Sequence, residues 1–120
     1  MRILLIEDDV DIADNMVELL ELEGHDVDHK LNGNDGLEAA LADNHDFILC
    51  DVQMPGLSGF EVLNEYRDKV GFSSSPFIFV TASAQPEDIE KLSNSQADGF
   101  VTKPFSTVQI VEVIDKHKAS

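Results

Sequence analysis

Side chains able to do chemistry follow directly on short apolar runs. Phe47-Ile48-Leu49-Cys50 leads into Asp51, and Ile3-Leu4-Leu5-Ile6 into Glu7-Asp8-Asp9. Phe77-Ile78-Phe79-Val80 leads into Thr81, and the stretch from Gly99 to Thr102 into Lys103. If the runs are strands of one parallel sheet, Glu7, Asp8, Asp51, Thr81 and Lys103 meet at its carboxyl edge, where open α/β sheets place their ligands. Carboxylates crowded there repel one another and demand a cation. Oxygen donors suit magnesium, manganese or calcium rather than zinc, and few ligands with open positions suit magnesium with bound water best. A carboxylate so placed can attack phosphorus and become an aspartyl phosphate. The cation and Lys103 would then neutralise the transferring oxygens, and Thr81 would hydrogen-bond one of them.

Each feature also has a plainer reading. An acidic cluster after a buried strand can simply cap the next helix, whose first turn favours acids. Asp9 or Asp11 would serve as that cap, which leaves Glu7 and Asp8 over. Cys50 lies inside an apolar strand and reads as a small core residue rather than a reactive thiol. His25, His29, His45 and His117 fall in surface segments and read as solvated side chains.

Other chemistries lack their residues. No histidine stands at a strand end, so a Ser-His-Asp arrangement has no base. There is no GxxxxGK[ST] phosphate loop, and Gly33 and Gly36 do not make a GxGxxG fingerprint. No Cys or His spacing fits zinc. A phosphatase working through an aspartyl phosphate usually carries a second aspartate two residues after the nucleophile, and here that position is Gln53.

The positioning elements alternate along the chain. A first strand over 2–6 precedes a helix from about Val10 to Glu23, whose Ile12, Ala13, Met16, Val17, Leu19 and Leu20 fall near helical spacing. Gly24 stops it. A weaker, more polar strand over Asp26–Lys30 suits the sheet edge, and a short helix over 34–43 follows. The Phe47–Cys50 strand is apolar on both faces, as in a buried parallel strand. A third helix runs from about Phe60 to Lys69. The fourth strand, 77–80, precedes a weak helix opened by Pro86 and anchored by Ile89 and Leu92. The fifth strand, from Gly99 or Phe100 to Thr102, precedes a last helix bearing Val108, Ile110, Val111, Val113 and Ile114. Such βα alternation means a doubly wound parallel five-stranded α/β sheet with helices on both faces. Right-handed crossovers bring every strand's carboxyl end to one edge.

Composition bounds the function. The chain has 120 residues and a formal charge of −16, enough for one domain and a field that repels nucleic-acid phosphates. Its only cysteine is Cys50, so no intrachain disulfide forms, which suits a reducing cytoplasm. No apolar run approaches a membrane span, and the N-terminus has the wrong flank for a secretory signal. The expected location is cytoplasmic.

With these residues in view, the chain resembles the receiver domains of two-component response regulators, of the chemotaxis-regulator type. The resemblance covers essentially all of residues 1–120 as a single receiver domain with no output domain after Ser120. It rests on Ile3–Asp9, on Asp51 with Met54-Pro55-Gly56, on Val80-Thr81-Ala82 and on Val101-Thr102-Lys103-Pro104-Phe105. It implies a flavodoxin-like fold with strand order 2-1-3-4-5. It further implies that Asp51 accepts a phosphoryl group from a sensor histidine kinase or a histidine phosphotransfer protein. Asp8 would bind Mg2+ directly, Glu7 through water, and Gln53 by its backbone carbonyl. Thr81 and Lys103 would contact the phosphoryl group. Self-phosphorylation from small phosphodonors and slow autodephosphorylation are expected, with Gln53 and Ser83 flanking the water's approach. Phe100, three residues before Lys103, stands where the family has its switch aromatic; its other reading is ordinary core. The responding surface would be the fourth helix, fifth strand and fifth helix, which meets a downstream protein. A cis Lys103–Pro104 bond is implied as well. A receiver fold that only binds partners, without turning over phosphate, is the alternative.

Overall fold

The computed structural model describes residues 1–42, 45–54, 56–71, 75–82, 85–103 and 106–117. The apolar runs become strands β1 (Arg2–Ile6), β3 (Phe47–Asp51), β4 (Phe77–Thr81) and β5 (Gly99–Thr102), with the more polar β2 (Asp26–Lys30). The helices are α1 (Val10–Leu22), α2 (Gly33–Ala42), α3 (Gly59–Val70), α4 (Pro86–Ser93) and α5 (Thr107–His117). All strand pairs are parallel and the order is β2-β1-β3-β4-β5, as expected.

Alternation along the strands sorts the side chains into two layers, because successive residues point to opposite faces. Leu4, Ile6, Ile48, Cys50, Phe77 and Phe79 pack under α2, α3 and Leu92 of α4. Ile3, Leu5, Phe47, Leu49, Ile78 and Val80 pack under α1 and α5 through Ala13, Met16, Leu20, Ile110 and Ile114. A fully buried aliphatic or aromatic side chain contributes roughly 1.5–3 kcal/mol, so the three central strands dominate the stability. β2 lies at one edge and is only half-buried over Val27–Lys30.

Local signals explain the element ends. The Asp9 carboxylate accepts from the backbone N–H groups of Asp11 and Ile12 at 3.0 and 3.2 Å and starts α1. Ser58 and Glu61 form a reciprocal capping box at the start of α3, which satisfies two otherwise orphaned donors. α4 carries a proline in its first turn and no side-chain cap, and of its residues only Leu92 is fully buried.

The histidines depart from expectation. His45 is buried, with Nε2 3.1 Å from an Asp28 carboxylate oxygen. His25, His29 and His117 are half-buried rather than solvated. His25 Nδ1 lies 3.2 Å from the N-terminal amine. His29 turns onto the Glu7 carbonyl after β1, and His45, just before β3, reaches Asp28 of the edge strand. The expectations for Ser83 and for the Lys103–Pro104 bond fall outside the described residues.

Candidate active site at the carboxyl edge of the sheet

The register aligns the strand ends. Ile6 sits opposite Cys50, Asp51 opposite Val80, and Thr81 opposite Thr102. Glu7, Asp51, Thr81 and Lys103 therefore arrive within a residue of one level. The Lys103 N–H donates to the Thr81 carbonyl at 2.7 Å, which ties the lysine's backbone to the end of β4. The Glu7 N–H donates to the Lys30 carbonyl at 3.0 Å, which extends β1 by one rung.

A glycine sets the floor beneath Asp51. The Gly59 N–H donates to the Val52 carbonyl at 2.9 Å, drawing the start of α3 against the end of β3. A Cβ at Gly59 would lie 2.3 Å from the Asp51 carbonyl oxygen and 3.0 Å from the Phe79 ring. Only glycine permits that approach. Reading the sequence did not single it out; its signal was a glycine directly after a capping serine, at the mouth of a helix that must sit close to the strand.

One carboxylate oxygen from each of Glu7, Asp8 and Asp51 lies within 4.8 Å of the others. Lys103 forms an ion pair with Glu7 Oε1, and its Nζ lies 3.6 Å from Asp51 Oδ2. Glu7 is 1% exposed, yet its Oε2 has no hydrogen-bond partner among the described residues. An uncompensated buried carboxylate oxygen is costly.

Glu7, buried, and Asp51, half-buried, titrate as a pair. Burial, and then the neighbouring Glu7 carboxylate, raise Asp51 to about 7, against the pull of Lys103. Burial pushes Glu7 upward too, but its contacts with Asp51 and Lys103 together hold it below its ordinary value. The two shifts run in opposite directions because Asp51 hydrogen-bonds to the Glu7 carboxylate and Lys103 lies nearer to Glu7 than to Asp51. Cys50 belongs to the core, as expected: burial and the adjacent acids push its thiol well above the usual range.

This donor set fits a hard divalent cation. Its donors are carboxylate oxygens, they carry excess negative charge, and a buried oxygen lacks a partner among the described residues. Gln53 is exposed in the loop after β3. It lines a cleft of about 250 Å³ beside the site, together with Val52, Met54, Ser58, Phe60, Thr81, Asp88, Lys91 and Leu92. Lys91 Nζ stands 4.6 Å from the centre of the Phe60 ring. Phe100 lies on β5, opposite Phe79, and packs half-buried against the α3 layer.

A parallel five-stranded sheet in this order, with acids and a lysine at its carboxyl edge, defines a receiver-type α/β domain. Residues 3–115 match the response regulator receiver domain family, and the chain belongs to it. It is 37% identical over 111 residues to the transcriptional regulatory protein DltR of Streptococcus agalactiae, covering 92% of this chain and 49% of that protein. The chain thus spans about half the length of the relatives it matches. Among solved structures it is similar to the response regulator TrrA of Thermotoga maritima in complex with Mg2+ and BeF, at 33% identity and a TM-score of 0.86 over 96% of both chains. The Vibrio cholerae chemotaxis protein CheY4 shares the fold, with a TM-score of 0.87 over 97% of both chains at 24% identity. No helix among the described residues is long and apolar enough to cross a membrane.

Proposed function

We propose that residues 1–120 act as one phosphoryl-accepting receiver domain. In this reading Asp51 takes a phosphoryl group from a phosphohistidine on a sensor kinase or a phosphotransfer protein. The phosphorus–nitrogen bond of the donor breaks and a phosphorus–oxygen bond to the Asp51 carboxylate forms; the donor's imidazole leaves with the electron pair and takes up a proton. The observation that carries the reading is the imbalance at the carboxyl edge, where Glu7, Asp8 and Asp51 cluster, Lys103 pairs with Glu7 and Asp51, and a buried Glu7 oxygen has no hydrogen-bond partner among the described residues.

Glu7, Asp8, Asp51 and the Gln53 backbone carbonyl would hold Mg2+, which when bound neutralises charge on the transferring oxygens. Asp51 attacks in its deprotonated form. Lys103 stands close enough to follow the charge from the carboxylate to the phosphoryl oxygens, and the Thr81 hydroxyl donates to one of them. A pure interaction module has no use for mutually repelling acids gathered around a buried one, and this disfavours that alternative.

The output in this reading is a protein contact on α4, β5 and α5. Thr81 drawn toward the phosphoryl oxygens would leave room beside β4 that Phe100, on the next strand, can enter. A formal charge of −16 speaks against direct DNA contact by this domain. The lone buried Cys50 suits the cytoplasm.

Intact mass after incubation with acetyl phosphate and Mg2+ tests the proposal. Wild type gains one phosphoryl group, whereas Asp51→Asn, or wild type in chelator, gains none. No addition to wild type, or equal addition to Asp51→Asn, refutes it.

A further inference from the structure

The edge strand reaches into the acidic site through a histidine. The regular pairing of β1 with β2 runs from Arg2 opposite Asp26 to Ile6 opposite Lys30. Beyond it, β2 makes two contacts with the backbone of Glu7. The Lys30 carbonyl accepts the Glu7 N–H at 3.0 Å, and His29 Nε2 lies 3.0 Å from the Glu7 carbonyl oxygen. A carbonyl only accepts, so Nε2 is the ring nitrogen that carries the proton.

That carbonyl belongs to the peptide joining Glu7 to Asp8. Its orientation fixes where both side chains start. Glu7 depends on this more than most acids, because only Oε1 is held by a side chain while Oε2 has no hydrogen-bond partner among the described residues. The ring bond is not needed for strand pairing, which is complete at Ile6 and Lys30.

We propose that His29 is a positioning residue for the acidic site: its ring hydrogen bond to the Glu7 carbonyl aims the Glu7 and Asp8 carboxylates at a shared cation. The proposal rests on the reading of that site as a Mg2+ site. Groups that orient a metal-binding residue typically change affinity 10–100-fold when removed. A bond to the main chain acts less directly, and an effect of roughly 3–10-fold is expected on that scale.

The test uses the full chain as wild type, His29→Leu and His29→Gln. Leucine keeps bulk and removes the donor; the glutamine amide restores a donor at similar reach. NMR at about pH 8, above the ordinary imidazole range, follows the Asp8 amide first without metal and then through a Mg2+ titration. Urea unfolding reports stability separately. His29→Leu is expected to shift the Asp8 amide in the metal-free protein and weaken Mg2+ binding by roughly 3–10-fold, and His29→Gln to recover both. A merely structural role would lower the urea midpoint of His29→Leu and leave the Mg2+ affinity of the folded protein unchanged; that result overturns the proposal, as does failure of glutamine to recover affinity. If wild type itself shows no Mg2+-dependent shifts, the acidic-site reading fails and takes this inference with it.

Discussion

The two edges of the sheet carry similar residues in opposite arrangements. At the amino edge the charges are matched. The Asp46 carboxylate accepts the Arg2 N–H at 2.8 Å, which pins the start of β1 to the loop before β3. Asp98 Oδ2 accepts both the Phe77 N–H and Arg67 Nη2, each at 2.8 Å. Arg67 also donates to the carbonyls of Gln96 and Ser75. The Ser75 N–H donates to the Tyr66 hydroxyl at 2.8 Å. At the carboxyl edge three acids cluster and Lys103 pairs with two of them, Glu7 and Asp51. Donors matched to acceptors hold a structure in one state. Unmatched charge leaves a site with something still to bind. The amino edge is not perfect, since His45 Nδ1 is buried without a partner among the described residues. With His117 Nε2, buried beside Gly99 at the start of β5 and likewise without a partner among the described residues, that makes two orphan ring nitrogens, against a cluster of surplus carboxylate charge at the opposite edge.

The contrast is tested by removing a carboxylate at each edge. Asp98→Ala strips the buried Phe77 N–H of its acceptor and frees the Arg67 guanidinium from its ion pair. An unsatisfied buried donor costs about 1–3 kcal/mol, and the expected loss lies toward the upper end because two bonds go at once. Urea unfolding with unchanged slope reads it directly. A loss below the error of the extrapolation would show that the amino-edge network is ornamental.

Asp51→Asn should act in the opposite direction. Asp51 is raised to about 7 from its ordinary 3.8. Between those values the folded chain holds a proton that the unfolded chain has lost, so stability falls as pH rises through this window. The neutral amide removes that cost. In metal-free buffer the variant is expected to match wild type near pH 4 and to be more stable by about 1–2 kcal/mol near pH 8, after discounting the shift for a partly solvated group. Urea midpoints across this range decide. A variant less stable than wild type at high pH, or a pH-independent difference, breaks the claim that this edge is electrostatically strained.

Most of the architecture was legible because the pattern that encodes it is local. Strands apolar on both faces, separated by helical spacing, leave few alternatives to a doubly wound parallel sheet, and crossover handedness then gathers the strand ends. Boundaries moved by a residue or so where pairing outlasts the apolar run: β3 includes Asp51 and β4 includes Thr81. Less was legible of who touches whom. That Lys103 pairs with Glu7 and stands farther from Asp51 is a matter of side-chain reach from β5 across β4 and β3, and sequence carries no such distance. Edge-strand and loop residues are usually solvated, and on that ground the sequence reads His29 and His45 as surface side chains. Only the tertiary arrangement shows them turned onto Glu7 and Asp28. The approach of Gly59 to the Asp51 carbonyl was hidden for the same reason.

The smallest effect expected separates two neighbours in one acidic triplet. Asp8 and Asp9 are adjacent and chemically identical, yet they face different problems. Asp9 precedes the first turn of α1, and its Oδ1 accepts the N–H groups of Asp11 and Ile12. It satisfies helix donors that would otherwise have no intrahelical partner, and its charge complements the helix dipole. Asp8 offers an oxygen to the cluster with Glu7 and Asp51. Asp9→Ala is therefore expected to cost about 0.5–1 kcal/mol, at the low end for an exposed cap, and to leave Mg2+ affinity unchanged. Asp9→Ser, which keeps a capping oxygen, should recover most of the loss. Asp8→Ala should do the reverse: it weakens Mg2+ binding at least tenfold, as expected when a direct charged oxygen ligand is removed, while leaving the metal-free urea midpoint close to that of wild type. Measuring both quantities on both variants divides the triplet. If Asp9→Ala weakens Mg2+ binding as much as Asp8→Ala does, the division into a cap and a ligand is wrong, and the whole triplet belongs to the unmatched edge.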